Sequence, residues 1–146
     1  MKKKKITISV SIILIIVLAY IAIGNPMVFF NNQKLKREVT AIKSDNVKLN
    51  EIVPFEWDTV YTFEPYTNKE QIKDVIGFKS YSIQETVSEG MVQLLFVKDK
   101  KVVCSVCGYS STLGYRIDFL DRIMYTDNAV FSVERDSDIV RLTYKK

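Results

Sequence analysis

Pro54-Phe55-Glu56-Trp57-Asp58-Thr59-Val60-Tyr61-Thr62-Phe63-Glu64-Pro65-Tyr66 is the stretch on which the fold reading turns. Trp57, Thr59, Tyr61 and Phe63 share one parity, while Glu56, Asp58, Val60, Thr62 and Glu64 share the other. Side chains of a strand alternate between faces, so this pattern predicts a half-buried strand with an aromatic inner face. Thr67-Asn68-Lys69-Glu70 then reads as a capping box, with Thr67 capping a helix and Glu70 reaching back. Ile72, Val75 and Ile76 form the apolar stripe of that helix, and Gly77 is its left-handed stop.

Downstream the periodicity is that of strands. Phe78 to Val87 reads as one, and Ser88-Glu89-Gly90 as a turn. Met91 to Val97 and Val102 to Gly108 are apolar strands joined through Lys98-Asp99-Lys100-Lys101, a hairpin-like connection. Tyr109 to Gly114 is a Gly-bounded Ser/Thr loop. Further strands are expected over Tyr115–Phe119, Leu120–Tyr125, Val130–Val133 and Ile139–Tyr144, the last two turning through Arg135–Asp138. The fold class that follows is α+β, one capped helix packed on an antiparallel meander sheet.

Upstream, Val47 to Ile52 reads as a short helix opened by Ser44-Asp45-Asn46 and stopped by Pro54. Asn31 to Lys43 reads as an amphipathic stem with Leu35, Val39 and Ile42 at helical spacing. Before it, Lys2-Lys3-Lys4-Lys5 precedes a charge-free run from Ile6 to Ile23, ended by Gly24-Asn25-Pro26. Eighteen residues of helix measure about 27 Å, close to the ~30 Å hydrocarbon core of a bilayer. The run is therefore expected to be a transmembrane signal-anchor, with the lysines in the cytoplasm and the C-terminal domain outside. Ala22-Ile23-Gly24 could serve as a cleavage site, which would yield a secreted protein, but the length of the run favours retention. No cysteine near its end offers a lipid attachment site. The expected organisation is anchor over 1–30, juxtamembrane stem over 31–50 and extracytoplasmic domain over 51–146.

Charge divides along the same boundary. The chain carries 21 Lys+Arg and 17 Asp+Glu. The four lysines of the head account for the excess, which leaves the part beyond Gly24 with 17 of each sign. A near-neutral domain lacks the basic surface that nucleic acid requires, so no nucleic-acid partner is expected. There is no histidine, which removes Ser-His-Asp and Cys-His catalysis and His-ligated zinc.

The remaining candidates are weak as chemistry. Cys104-Ser105-Val106-Cys107 lies in a β-branched run, where residues three apart face opposite ways about 10 Å apart, beyond the ~7 Å reach of a disulfide. Two free, buried or half-buried thiols are expected. Glu134, Asp136 and Asp138 alternate around a turn without the glycine and ligand number of a calcium loop. Glu56, Asp58 and Glu64 could provide carboxylates for hydrolysis, and Ser110 or Ser111 could pair with a lysine. Alternating acids are common on the wet face of a strand. The Gly108–Gly114 loop is neither G-x-S-x-G nor a Walker sequence, while a Ser/Lys dyad has no fixed local spacing. No catalytic, cofactor or metal residue is assigned, and an enzyme is not expected. The aromatics Phe55, Trp57, Tyr61, Phe63, Tyr66, Phe78 and Tyr81 fill a core or, in part, a binding surface. Trp57, Tyr61, Tyr66, Tyr109, Ser110 and Ser111 are the candidate partner-binding residues.

The run Glu51 to Glu70, with Ile76-Gly77-Phe78 after it, resembles a family of small membrane proteins and lipoproteins of Gram-positive bacteria. The resemblance implies an envelope location and a shared fold, with no activity to transfer. Together these readings lead to an expected membrane-anchored extracytoplasmic interaction module. Its expected partners are the bilayer, through residues 6–23, and an envelope protein or peptide, with immunity or inhibitor action as a specific form. An envelope hydrolase is the alternative.

Overall fold

The computed structural model describes residues 2–145, and the side chains of residues 2–7 and 19–23 lie outside that description. The chain starts with helix α1 (Lys2–Ile23), turns at Gly24 with a φ of 73°, and re-enters helix as α2 (Pro26–Ala41). Asn25 caps α2 by accepting the Met27 N–H at 3.1 Å, and Pro26 occupies the first helical position, where a missing N–H costs nothing. β1 (Asn46–Lys48), α3 (Leu49–Ile52), β2 (Thr59–Thr62) and α4 (Lys69–Ile76) follow. The long hairpin of β3 (Met91–Lys98) and β4 (Lys101–Tyr109) comes next. The one-turn helix α5 (Ser110–Leu113), β5 (Tyr115–Asp118), β6 (Arg122–Met124), a 3-10 turn (Tyr125–Asp127) and the hairpin β7 (Val130–Asp136)–β8 (Ile139–Tyr144) complete the chain.

The α+β class holds, but the single meander does not. The strands form two four-stranded sheets, β4-β3-β2-β6 and β1-β7-β8-β5. The first is antiparallel throughout, whereas in the second β5 runs parallel to β8, with Tyr115 opposite Val140 and Ile117 opposite Leu142. Between the sheets lies the main core. Val60, Leu94, Phe96, Cys104 and Val106 from the first meet Tyr115, Ile117, Phe131, Val133 and Leu142 from the second. A second cluster of Ile72, Ile83, Leu95 and Val102, with Tyr61 and Phe63 packed against it, covers the other face of the first sheet. That sheet is thus buried on both faces, which is why β3 is apolar from Met91 to Val97 at every position but Gln93.

α2 is a structural member of this domain. Leu35 and Val39, expected on a stem, are fully buried in the main core. The same helix closes the edge of the first sheet. A register shift after Phe96 places Cys104 opposite Phe96 and Val102 opposite Val97, leaving Val103 as a bulge. The buried Asn31 donates to the Val103 carbonyl at 2.9 Å, and Asn32 donates to the Ser105 carbonyl at 3.1 Å. Edge carbonyls that would template another strand are consumed within the chain.

Several expectations need correction. Phe78–Val87 is not a strand. It crosses the outer face of the first sheet, where side chains rather than a strand edge meet its backbone. Gln93 donates to the Gln84 carbonyl at 2.6 Å, and the Cys107 thiol lies 3.8 Å from the Glu85 carbonyl. The aromatic strand is shorter than expected, and its parity breaks at Asp58, where ladder pairing to β3 and β6 begins. Trp57 consequently joins the main core while Tyr61 and Phe63 belong to the opposite face, and Val60 is fully buried rather than wet. Residues 47–52 split between β1 and α3. The helix cap lies one residue later than read: Asn68 accepts the Gln71 N–H and Gln71 accepts the Asn68 N–H, both at 3.0 Å. Gly77 ends α4 at a φ of 81°, as expected.

Among the described residues no helix is long and apolar enough to cross a membrane. The expected span over 6–23 includes residues 6, 7 and 19–23, whose side chains lie outside the described residues. The remainder, 8–18, reaches about 16 Å as helix, roughly half of a bilayer core. The fold itself therefore does not establish the transmembrane helix. Within 8–18 every large apolar side chain is exposed, from Ile8 to Leu18.

Candidate functional site: the Trp57 groove

Two stretches distant in sequence, residues 50–59 and 124–126, line a groove of about 750 Å³ together with Lys98. α3 contributes Asn50, the segment before β2 contributes Phe55 and Trp57, β6 contributes Met124, and the 3-10 turn contributes Tyr125. The aromatic wall is built edge to face. Trp57 stands at 76° to Tyr125 with centroids 5.4 Å apart and at 87° to Phe96 at 5.7 Å, the geometry aromatic quadrupoles favour. Trp57 is 3% exposed, whereas Met124 and Tyr125 are 45% and 46% exposed.

Two polar atoms lining this groove are buried without a hydrogen-bond partner among the described residues: the indole Nε1 of Trp57 and Oδ1 of Asn50. Most buried polar atoms in folded proteins are paired, and an unmade hydrogen bond costs about 1–3 kcal/mol. The Asn50 amide has little freedom to turn over. Its Nδ2 donates to Asn128 Oδ1 at 2.8 Å and reaches the Tyr125 carbonyl at 3.4 Å, so Oδ1 is the atom left over. One donor and one acceptor without partners among the described residues thus lie buried beside the half-exposed Met124 and Tyr125.

Its charged rim is occupied by structure. Asp58 accepts from Lys98 Nζ and from the Asp99 backbone N–H, each at 2.8 Å. These bonds hold the Asp58 carboxyl below the usual carboxylate range and the Lys98 ammonium above the usual lysine range, the first mainly through Lys98 and the second mainly through Asp58. Glu56 lines the same groove, but Glu64 lines a different hollow near Gly90 and Arg116. A carboxylate pair for hydrolysis needs one member kept protonated. Asp58 is shifted the other way.

The other candidates scatter. Tyr61 stacks on Phe63 at 6.2 Å on the far face of the sheet. Tyr66 is exposed at a positive φ of 67°, its N–H bonded to Thr86. Tyr109 is exposed at the end of β4, with Ser110 and Ser111 opening α5 after it. Lys36 comes near that turn, its Nζ reaching the Thr112 carbonyl at 3.4 Å, and no Ser110 or Ser111 hydroxyl bonds to it among the described residues. Cys104 and Cys107 are free. Cys104 is in the main core and Cys107 faces Glu85, and burial raises both thiols above their ordinary range. No cluster of three metal-binding side chains occurs among the described residues.

Of the six expected residues only Trp57 lies in the groove. Asn50, Met124 and Tyr125 were missed. Asn50 and Tyr125 are separated by 75 positions, and neither has a local pattern that marks it. Comparisons with protein-family models, curated proteins and solved structures found no match to this chain.

Proposed function

We propose that the chain is a non-enzymatic interaction module, tethered to a membrane by α1, that receives a segment of an extracytoplasmic partner in the Trp57 groove. The observation that carries the binding half is the pairing of unsatisfied Trp57 Nε1 and Asn50 Oδ1 in one aromatic groove. A peptide group has both complements, a carbonyl for the indole and an N–H for the amide, and reaches the two buried atoms once the half-exposed Met124 and Tyr125 side chains move aside. The tether half rests on the charge-free run behind four lysines and on the exposure of apolar side chains all around α1 over 8–18. A helix apolar on every side is at home in a protein interior or in lipid. The location follows from the lysine head: N-terminus in the cytoplasm, domain outside.

A photoreactive amino acid at Tyr125, used in intact membranes with mass identification of what it captures, tests the reading. One defined partner is expected. Asn50→Ala, which deletes one ligand hydrogen bond of about 0.5–1.5 kcal/mol, is expected to weaken binding of the identified partner by roughly twofold to tenfold. Diffuse capture, equal to that from a probe on β8, would sink the groove assignment.

A further inference from the structure

The break between α1 and α2 lies beside one particular face of the domain. Val28, in the first turn of α2, belongs to the same buried cluster as Ile72 of α4, Ile83 and Leu95. The cluster beneath α4 therefore reaches the start of α2, where α1 ends. Met27, Phe29 and Phe30 are exposed at that point, with the two phenylalanine rings edge to face at 5.6 Å. Tyr81 projects fully into solvent from the segment that covers the cluster. It shares one hollow with Lys69, Lys73 and Lys79. Lys73 is paired with Glu70, and Asp74 adds a further acid on α4. Neither Lys69 nor Lys79 makes a close ion pair among the described residues, although Glu70 lines the same hollow and feels the Lys79 charge, and Glu85 accepts the Lys69 backbone N–H at 2.7 Å.

We infer that this face is a lipid-headgroup contact, on which the domain lies against the anionic surface of the membrane that α1 enters. The inference rests on the tether reading of α1. With α1 in the bilayer, residues 24–30 sit at headgroup depth. Exposed Phe29, Phe30 and Tyr81 are the side chains that partition to that zone, and Lys69 and Lys79 match its negative charge. A protein partner would demand a shaped apolar pocket here. The hollow is instead small, about 240 Å³, and rimmed by lysine stems, which bury methylenes while keeping the ammonium in the headgroup layer. The consequence is a domain held in one orientation by two attachments, the helix and the Tyr81 face.

The test uses the full chain in lipid nanodiscs, with a benzophenone amino acid in place of Tyr81 or, separately, of Ile12. Lipid adducts are read by mass. Adducts at position 81 are expected to rise several-fold when phosphatidylcholine discs are replaced by discs containing phosphatidylglycerol. High salt is expected to reverse the rise, since exposed charges are screened, and so is the double variant K69E/K79E. Lipid adducts at position 12 with none at 81 would overturn the headgroup contact and leave the tether standing. Absence of adducts at both positions would overturn both. Equal adducts at 81 in the two lipids, insensitive to the lysine variant, would also overturn it.

Discussion

Asp58 illustrates how one side chain can look catalytic in sequence and be structural in the fold. Its carboxylate spans 40 positions to hold Lys98 and the Asp99 N–H, and so latches the β3–β4 turn to the start of β2. The turn needs the latch, because Asp99 and Lys100 both take positive φ, 48° and 55°, which a two-residue hairpin requires and which glycine or asparagine adopts more easily. The Asp58 value is lowered on folding. Its contribution is thus complete above the ordinary carboxylate range and is lost as pH falls through the lowered value. The Lys98 value is raised, so its contribution is complete below the ordinary lysine range and fades as pH climbs through the raised value. Urea titrations over a pH series are expected to show Asp58→Asn less stable than the parent at neutral pH, with the difference closing on the acid side. An unchanged difference at acid pH would mean that the latch is not ionic.

Between elements, the contact of α2 with β4 carries the most consequence for its size. Asn31 is the only side chain among the described residues that donates to the carbonyl of the bulged Val103, and it does so from a buried position. Asn31→Ala leaves that carbonyl dry and unpaired, an effect of about 1–3 kcal/mol. It is expected as a lower urea midpoint at constant slope, which marks a loss of native stability rather than a change in the unfolded chain. The unprotected β4 edge is also expected to raise the tendency to self-associate, measurable by light scattering. A midpoint equal to that of the parent would show that water replaces Asn31 at no cost.

Across the whole molecule, two sheets and α2 share one core, so α2 is inseparable from the domain. Leu35 is fully buried among residues of that core, and Leu35→Ala is expected to cost about 2–5 kcal/mol in thermal or urea unfolding. A spacer helix would lose almost nothing, so a cost below about 0.5 kcal/mol, the level of an exposed substitution, would contradict the packing. The same arrangement builds the Trp57 groove. α3 is positioned by the Leu49 N–H to Ala129 carbonyl bond at 3.0 Å, and the Tyr125 N–H bonds the Asp58 carbonyl at 2.8 Å. Those two long-range bonds bring Asn50, Trp57 and Tyr125 to one place.

What could be read without the fold was whatever the chain encodes over a few neighbouring residues. The β3–β4 and β7–β8 hairpins, the glycine stop of α4 and the opposite facing of Cys104 and Cys107 follow from local turn chemistry and period-2 alternation. The charge-free run from Ile6 to Ile23 and the neutrality of the rest are properties of the sequence itself. Alternation says which residues share a face, but it does not say which sheet a strand joins or what covers its second face. For that reason the parallel pairing of β5 with β8, the second sheet, the non-strand path of Phe78–Val87 and the burial of Val60 were decided only by tertiary packing. The groove belongs to the same class. An unsatisfied indole and an unsatisfied amide are defined by which partners fail to reach them, a property of the assembled surroundings and not of Trp57 or Asn50 alone.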